Sequence, residues 1–368
     1  MSLPRVIRDE PLLTLLLAAA LPLTLLQPPS LRELPEALGL RAVLLVYALS
    51  IVSVLMTDSR IFRWLASRIA SRLSPANALA VYVLVVGLAS SIILNDVACV
   101  VFAGFSLLLA QQLGLPPSLA AVATAMAANI GSSLTPIGNP QNILVWHYYR
   151  VGFAEFTLAM SLFALPSLAA LALYTRLLAS RSAAGERRAA PVVRVEPRSG
   201  VAALALLALD VVSSRAGLLP EALATLATLA SGVALSGRPG LGEPGVALTL
   251  ALLVYDFNRV ATLLEAHHLL PTRLPCLHAY LYALLLSQLV SNVPATVMLL
   301  GRTSCWRAIA LGADLAGVGL IHASLANLIV ARLTGVSARE YHRIALPYFA
   351  ALAAIYTSLA LLAPGTLL

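Results

Sequence analysis

The sequence has little charge, and its positive charge comes from a single residue type. Only 11% of the 368 residues are charged, whereas 60% are hydrophobic, and the mean hydropathy is +0.90. All the basic residues are arginine, with no lysine anywhere in the chain. A soluble domain of this length would need far more polar surface. The composition excludes an ordinary soluble protein and indicates a helical membrane protein with several spans.

Cysteine is also scarce. Cys99, Cys276 and Cys305 are the only three, and no two of them form a C-x-x-C motif. An odd count at these spacings implies neither a disulfide framework nor a zinc site. We expect all three to be small buried packing residues.

The net charge of +8 does not indicate a nucleic-acid partner, because the arginines lie beside apolar segments rather than in one patch. This distribution is typical of the positive-inside rule, which predicts that the N-terminus, residues 58–75 and a linker over 181–198 are cytoplasmic. We predict a multi-pass protein of the plasma (inner) membrane. Within 58–75, apolar and arginine residues fall on opposite helix faces, which predicts an interfacial helix.

Apolar runs long enough to approach the ~20 residues of a membrane span occur throughout the chain. The predicted spans are 12–26, 40–56, 153–175, 199–214, 219–235, 245–258 and 344–363. The first could be a signal peptide, but no small-residue cleavage site follows it, so we interpret it as a span.

Two further apolar stretches are interrupted by polar residues. Residues 76–116 contain "SSIILNDVACV", and 276–303 contain "SQLVSNVPATVML". Counting crossings between the cytoplasmic segments requires both ends of each stretch to lie on one side of the membrane. We therefore predict two re-entrant hairpins with tips at Asn95 and Asn292, entering from opposite sides, since irregular backbone at this depth must be surrounded by protein or water.

Residues 128–142, "ANIGSSLTPIGNPQN", place turn chemistry where a helix is expected. Pro136 and Pro140 interrupt helical hydrogen bonding, while Gly131 and Gly138 allow close backbone approach. We predict broken helices over 117–149 and 306–331. Each break exposes N–H groups that attract anions and carbonyls that coordinate cations.

The two halves of the chain align weakly. Asn95 pairs with Asn292, Asn129 with Asp314, Gly138 with Ala323, Asn139 with Ser324, and Asn142 with Asn327. The predicted organisation is a first membrane repeat over 1–180, the linker, and a second repeat over 199–368. The fold class is thus an all-α polytopic membrane protein with two inverted-topology repeats, each with a re-entrant helical hairpin and a broken transmembrane helix. Such repeats are typical of secondary transporters.

The strings "LNDVACVVF", "SLTPIGNPQNILVW" and "SQLVSNVPATVMLL" resemble the ion transporter superfamily, and most closely its arsenite-permease and citrate-transporter-like anion permeases. The resemblance implies a substrate site between hairpins and broken helices, and a transport domain that moves against a dimeric scaffold. It covers 37 residues directly, and the order of segments extends it over most of the chain. The dicarboxylate branch has Ser-Asn-Thr at both tips, whereas this chain has Leu94, Asn95 and Asp96 at one tip and Ser291, Asn292 and Val293 at the other.

These observations predict a secondary active transporter for a small anion, an arsenite-like oxyanion or a carboxylate, with no cofactor and with coupling to Na⁺ or H⁺. The candidate substrate-binding residues are Asn95, Gly138, Asn139, Asn142, Ser291, Asn292, Thr296, Ser324 and Asn327. The candidate ion-coupling residues are Asp96, Asn129, Thr135 and Asp314, with Na⁺ possible at Asn95, Asp96 and Asn292. Its expected partners are the lipid bilayer, the anion, a monovalent cation and a second copy in a homodimer.

Several residues have two interpretations. Asp96 can be an ion-coupling carboxylate or a helix cap, and the two roles are compatible. Asp210 and Asp256 are placed at span ends, and His322 is expected to pack or to bind backbone. The core motifs hold no Arg or Lys, which favours a weakly charged substrate. A Na⁺/H⁺ antiporter and a channel stay open as alternatives, whereas an intramembrane enzyme lacks its motifs.

Overall fold

The computed structural model describes residues 11–182, apart from 31, 62–63, 65–67 and 69–71, together with 193–237 and 244–368. Residues 1–10, most of the linker and part of the interfacial helix predicted over 58–75 lie outside the described residues. Where the chain is described, it is helical and contains no strand.

The first half contains helices separated by short connections. They are α1 (Pro11–Leu26), α2 (Leu34–Ala37), α3 (Leu40–Asp58), α4 (Pro75–Ser90), α5 (Asn95–Leu113), α6 (Pro117–Ser132), α7 (Pro140–Tyr149) and α8 (Phe153–Ser182). The second half contains α9 (Pro197–Ala216), α10 (Leu218–Ser236), α11 (Pro244–Ala266), α12 (Cys276–Val290), α13 (Asn292–Leu299), α14 (Trp306–Ala316), α15 (Leu325–Thr334), α16 (Ala338–Leu362) and α17 (Pro364–Leu367). A 3₁₀ turn, Ile321–Ala323, lies between α14 and α15.

Seven of the described helices are long and apolar enough to cross a membrane: α3, α5, α8, α9, α10, α11 and α16. These helices confirm a polytopic all-helical membrane protein. The helix α5 is among them, and its assignment to a re-entrant arm stays a prediction. The inverted orientation of the two halves likewise stays a prediction.

The helices pack as two groups. In the first, which we call the site group, α6 packs against α4, α5, α8 and α15, and α14 packs against α12. In the second, the lateral group, α3 packs against α9, α10 and α11, and α11 packs against α1. The groups meet where α3 contacts α7 and where α11 contacts α13.

Glycine permits the closest helix contacts in the site group. A Cβ atom added to Gly131 of α6 would collide with the carbonyl of Gly87 in α4. One added to Gly312 of α14 would collide with the carbonyl of Tyr280 in α12. Because association of helices in lipid depends on close packing, small residues at these points hold each broken helix against its neighbour.

The prediction for two of the cysteines is wrong, because Cys276 and Cys305 form a disulfide bond. Cys276 begins α12, and Cys305 immediately precedes α14. Since α12 and α14 pack along each other, residues 29 apart in sequence reach a Cα–Cα distance of 5.3 Å, within disulfide range. Only Cys99 is a buried free thiol, as predicted.

The placement of Asp210 and Asp256 at span ends is also wrong. Each is only 2% exposed. Asp256 lies well inside α11, which extends to Ala266 rather than ending near 258 as predicted. Asp210 lies inside α9, where both its carboxylate oxygens accept from the hydroxyl of Thr228 in α10, at 3.0 and 2.9 Å. The predicted spans were shorter than the helices, so buried positions were assigned to the interface.

Candidate substrate site

Two gaps between helices form the centre of the site group. The first separates α6 from α7, and the second, which contains the 3₁₀ turn, separates α14 from α15. At the first gap, Asn139 has extended backbone, and its side chain accepts from the N–H of Asn142 at 2.9 Å, so it caps α7. Pro140 then occupies the first helical position, where no amide hydrogen is needed.

Asp314, near the end of α14, reaches across to the first gap. Its Oδ1 accepts from Asn139 Nδ2 and Gln141 Nε2, each at 3.0 Å, and its Oδ2 accepts from Asn142 Nδ2 at 2.9 Å. All four side chains are at most 2% exposed. Three amide groups therefore donate hydrogen bonds to the oxygens of one buried carboxylate. Such bonds are needed because burying a carboxylate without partners is costly.

Asn129, near the end of α6, makes the corresponding contacts with the second gap. Its Nδ2 donates to Asn327 Oδ1 at 2.8 Å, and its Oδ1 accepts from Ser324 Oγ at 2.9 Å. Asn95 Nδ2, from the first hairpin tip, also donates to this oxygen, at 3.3 Å. Asn327 in turn donates to the carbonyl of Gly317 at 2.8 Å.

These two sets of contacts match the alignment of the two halves position by position. Asp314 binds Asn139 and Asn142, and the aligned residue Asn129 binds Ser324 and Asn327. Each broken helix therefore supplies, from the end of its first segment, the residue that holds the other helix's gap. Ser132 connects the two sets, because its hydroxyl donates to the Asn129 carbonyl and accepts from Asn139.

Both hairpin tips contact the gap of their own half. The backbone N–H of Asn95 donates to the carbonyl of Gly138 at 2.8 Å. The hydroxyl of Ser291 donates to the carbonyl of Ala323, the residue aligned with Gly138, at 3.3 Å. Thr135 adds a hydrogen bond from its hydroxyl to the carbonyl of Ser91 at 2.5 Å.

Three predicted site residues make no hydrogen bond to either gap in the part of the chain that the structure describes. The carboxylate of Asp96 accepts no hydrogen bond from the described residues, although the side chain is only 8% exposed. Its interpretation as a helix cap is wrong, because Leu94 occupies that position. Asn292 Oδ1 accepts from the N–H of Val293 at 2.9 Å, and Thr296 is buried with no hydrogen bond within the described chain.

Sequence reasoning missed two glutamines. Gln141 donates to Asp314, and Gln288 of α12 supports the second gap by donating to the Ala316 carbonyl and accepting from the Leu320 N–H, at 2.8 and 2.9 Å. Both glutamines lie inside the polar interruptions of the apolar segments, and this position is the sequence feature that indicates them. His322 binds the carbonyl of Gln288 at 2.7 Å, which confirms a backbone-binding role.

Unused acceptors lie within the network and beside it. Gln141 Oε1, Asn142 Oδ1 and Thr296 Oγ1 are buried and have no partner among the described residues. Buried polar atoms in native structures usually have partners, so such atoms are candidates for ligand contact. No arginine takes part in the hydrogen bonds of this network. The arrangement suits a ligand that donates hydrogen bonds.

Polar side chains buried between interrupted helices are expensive in a membrane and are typical of solute pathways. The fold and the network together define a polytopic membrane transport protein. The profile of the citrate transporter family matches residues 6–305, so the chain belongs to that family. This confirms the resemblance to citrate-transporter-like permeases.

Similar sequences are consistent with this class. The inner membrane protein YbiR of Escherichia coli K12 is 28% identical over 349 residues, which are 90% of this chain and 91% of that protein. An uncharacterized transporter of Methanocaldococcus jannaschii is 28% identical over 261 residues, covering 68% and 69% of the two chains. The silicon efflux transporter LSI3 of Oryza sativa subsp. japonica is 38% identical over 117 residues, 32% of this chain and 24% of that protein.

Proposed function

We propose that this protein is a secondary active transporter that moves a small oxyanion or oxyacid by alternating access. The supporting observation is the reciprocal pairing of the two broken helices through Asn129 and Asp314. Because these polar groups join the two interrupted helices, both halves of the chain must rearrange before the site between them can open. The hairpin tips at Asn95 and Ser291 close against it.

The chemistry of the network favours a weakly charged, hydroxylated substrate over a multiply charged carboxylate. A citrate-like anion calls for cationic donors, and the network contains amides, hydroxyls and one carboxylate. The unused acceptors on Gln141, Asn142 and Thr296 would bind substrate hydroxyl groups. An arsenite-like acid provides such hydroxyls, and silicon is what the name of the rice relative indicates for that protein.

Coupling to Na⁺ or H⁺ is part of the proposal. Asp314 already accepts three amide hydrogens, so in this conformation it links the halves rather than ligating a cation. Asp96 carries a carboxylate that is free of hydrogen bonds within the described residues, which makes it the better cation partner. We further propose that the site group moves as an elevator against the lateral group, which forms the homodimer scaffold, and that the halves 1–180 and 199–368 are inverted repeats.

Counterflow in proteoliposomes tests the proposal. Vesicles loaded with arsenite, silicic acid or citrate would be diluted into tracer of the same compound, and uptake measured. We expect stimulated uptake for one of the two hydroxylated acids and its loss in Asn142→Ala. Asn77→Ala, an exposed amide outside the network, is the matched control and should transport normally. Conductance without counterflow would indicate a channel and overturn the proposal.

A second candidate, a Na⁺/H⁺ antiporter, is favoured by the carboxylate of Asp96, which accepts no hydrogen bond from the residues that the structure describes. A pH-sensitive dye inside sealed vesicles would report proton movement on addition of Na⁺ without any other solute. Na⁺-driven proton movement that occurs with the wild-type protein and disappears in Asp96→Asn would favour this function over anion transport.

A further inference from the structure

A buried charged cluster lies outside the substrate network, where the lateral group meets α7. Glu221 of α10 is only 2% exposed, and its Oε2 accepts from Arg41 Nε of α3 at 3.1 Å. A second guanidinium nitrogen of Arg41 donates to the carbonyl of Ser214 in α9. Three helices of the lateral group are joined by this one arginine.

The other oxygen of this carboxylate is available. Glu221 Oε1 is buried and has no hydrogen-bond partner in the described part of the chain. The imidazole Nε2 of His147 lies 4.0 Å from it. His147 belongs to α7, the same short helix whose first turn carries Gln141 and Asn142. The pair therefore bridges the lateral group and the helix that holds the substrate network.

A cavity lies on the His147 side of this pair. His147 and Arg41 line a cavity of about 910 Å³ that is bounded by α2, α3, α7, α11, α13 and the residues that follow α13. Because the cavity reaches an imidazole whose neighbour is an unsatisfied carboxylate oxygen, a proton entering from the cavity has a defined place to bind.

Other charged groups surround the pair. The charged residues that line the cavity are Glu33, Glu36, Arg41, Arg150, Arg259 and Arg302. Asp210 lies near Glu221, and Asp314 of α14 contacts the first turn of α7. Arg302 is paired with Glu265 at 2.8 Å, Asp210 accepts from Thr228, and Asp314 accepts three amides. Glu221 is the acidic group that lies 4.0 Å from the imidazole of His147.

We propose that His147 and Glu221 form a proton-binding pair that ties α7 to the lateral group. With a proton added, the imidazolium donates to Glu221 Oε1. With the proton lost to the cavity, this hydrogen bond between α7 and the lateral group is absent. No other atom is transferred. The inference rests on the proposed function, because it assigns H⁺ as an ion whose binding is coupled to movement of the site group.

Trp146 provides a direct reporter, since its indole stacks on the His147 ring at 5.2 Å between centroids and 24° between planes. An imidazolium quenches a stacked indole, whereas a neutral imidazole does so far less. The test uses full-length, substrate-free protein in nanodiscs with Trp64→Phe and Trp306→Phe, so that Trp146 is the only tryptophan.

We expect the emission to fall on acidification in one step within about pH 5 to 8, the range of histidine. His147→Gln, which keeps the Arg41–Glu221 pair, should abolish the step. Glu221→Gln should move its midpoint to lower pH by about one unit, because the anion that favours the imidazolium is gone. His278→Gln, an exposed histidine on α12, should change nothing.

The proposal is overturned if wild type shows no step, if the step survives in His147→Gln, or if Glu221→Gln leaves the midpoint unchanged. Because the readout needs no substrate, its failure is separate from failure of transport. Absent counterflow with an intact titration would count against the proposed function alone.

Discussion

The two breaks are held by corresponding contacts, but one is held by a charge and the other by an amide. Asp314 only accepts, and it gathers three donors onto the first gap. Asn129 both donates and accepts, so it binds Asn327 and Ser324 and also contacts the hairpin residue Asn95. Hydrogen bonds to a charged group are stronger than neutral ones. We therefore expect the first gap to be held more firmly than the second.

The backbones of the two gaps differ for a related reason. The first gap contains Pro136 and ends at Pro140, which fix its shape locally. The second has no proline and contains a 3₁₀ turn, and it depends on Gln288 of the neighbouring hairpin for two backbone hydrogen bonds. Local chemistry shapes the first gap, and tertiary contacts shape the second.

The largest expected effect comes from removing the charge. Asp314→Ala leaves three buried amide donors without their common acceptor, at about 1–3 kcal/mol each, so we expect a loss of at least about 3 kcal/mol of folding free energy and no transport. Asn129→Ala should lose clearly less. Thermal unfolding in detergent measures both, and equal losses would contradict the difference drawn between the gaps.

The disulfide distinguishes the hairpins, since Cys276–Cys305 closes the second one and the first has no counterpart among the described residues. Replacing both cysteines with serine should cost about 2–4 kcal/mol. A reducing agent should lower the melting temperature of wild type and leave that of the double variant unchanged. If reductant has no effect on wild type, the crosslink does not contribute.

Close packing by glycine should be necessary in the first half. Gly131→Ala would force α6 away from Gly87 and cost about 1–3 kcal/mol. Gly104→Ala in α5 is the matched control, because a Cβ there meets nothing within 4 Å. Melting temperatures should fall for the first variant and stay level or rise for the second, and any decrease shared by both would point to a general helix effect.

The smallest expected effect concerns the tips. Ser291 has φ 77°, a left-handed conformation, whereas Leu94 at the other tip has φ −54°. Ser291→Gly should relieve strain worth up to about 1 kcal/mol. Ser291→Ala keeps the strain and removes the hydroxyl, so it separates the two contributions. A Gly variant less stable than the Ala variant would show that strain is unimportant here.

Much of the architecture followed from local patterns. Apolar runs located the spans, and the polar interruptions at 128–142 and in the hairpins coincide with helix ends in the structure. Asn95, Asn129, Asn139, Asn142, Asp314, Ser324 and Asn327 were all selected from the sequence, and the structure joins them in one hydrogen-bonded network. Their roles in binding substrate and ions stay predictions.

Other features could not be predicted because they depend on which helices pack together. Asp210 was assigned to the interface, since hydropathy alone underestimates helix length, and its partner Thr228 lies on another helix. The Cys276–Cys305 bond needed two helix ends to meet, which no spacing rule indicates. Gln141 was overlooked because an amide beside two asparagines gave no separate signal.

Sequence patterns alone indicate that this chain crosses a membrane, where its helices are interrupted, and which polar residues lie at the interruptions, because burial in lipid penalises every charge and every unpaired backbone group. How those residues pair is seen only in the folded protein. Whether Asp314 faces the gap of its own helix or that of the other half depends on how the two halves pack together, and contacts between distant segments leave no periodic trace in a single sequence. The same holds for Glu221 and His147, which are 74 residues apart by number and 4.0 Å apart in space.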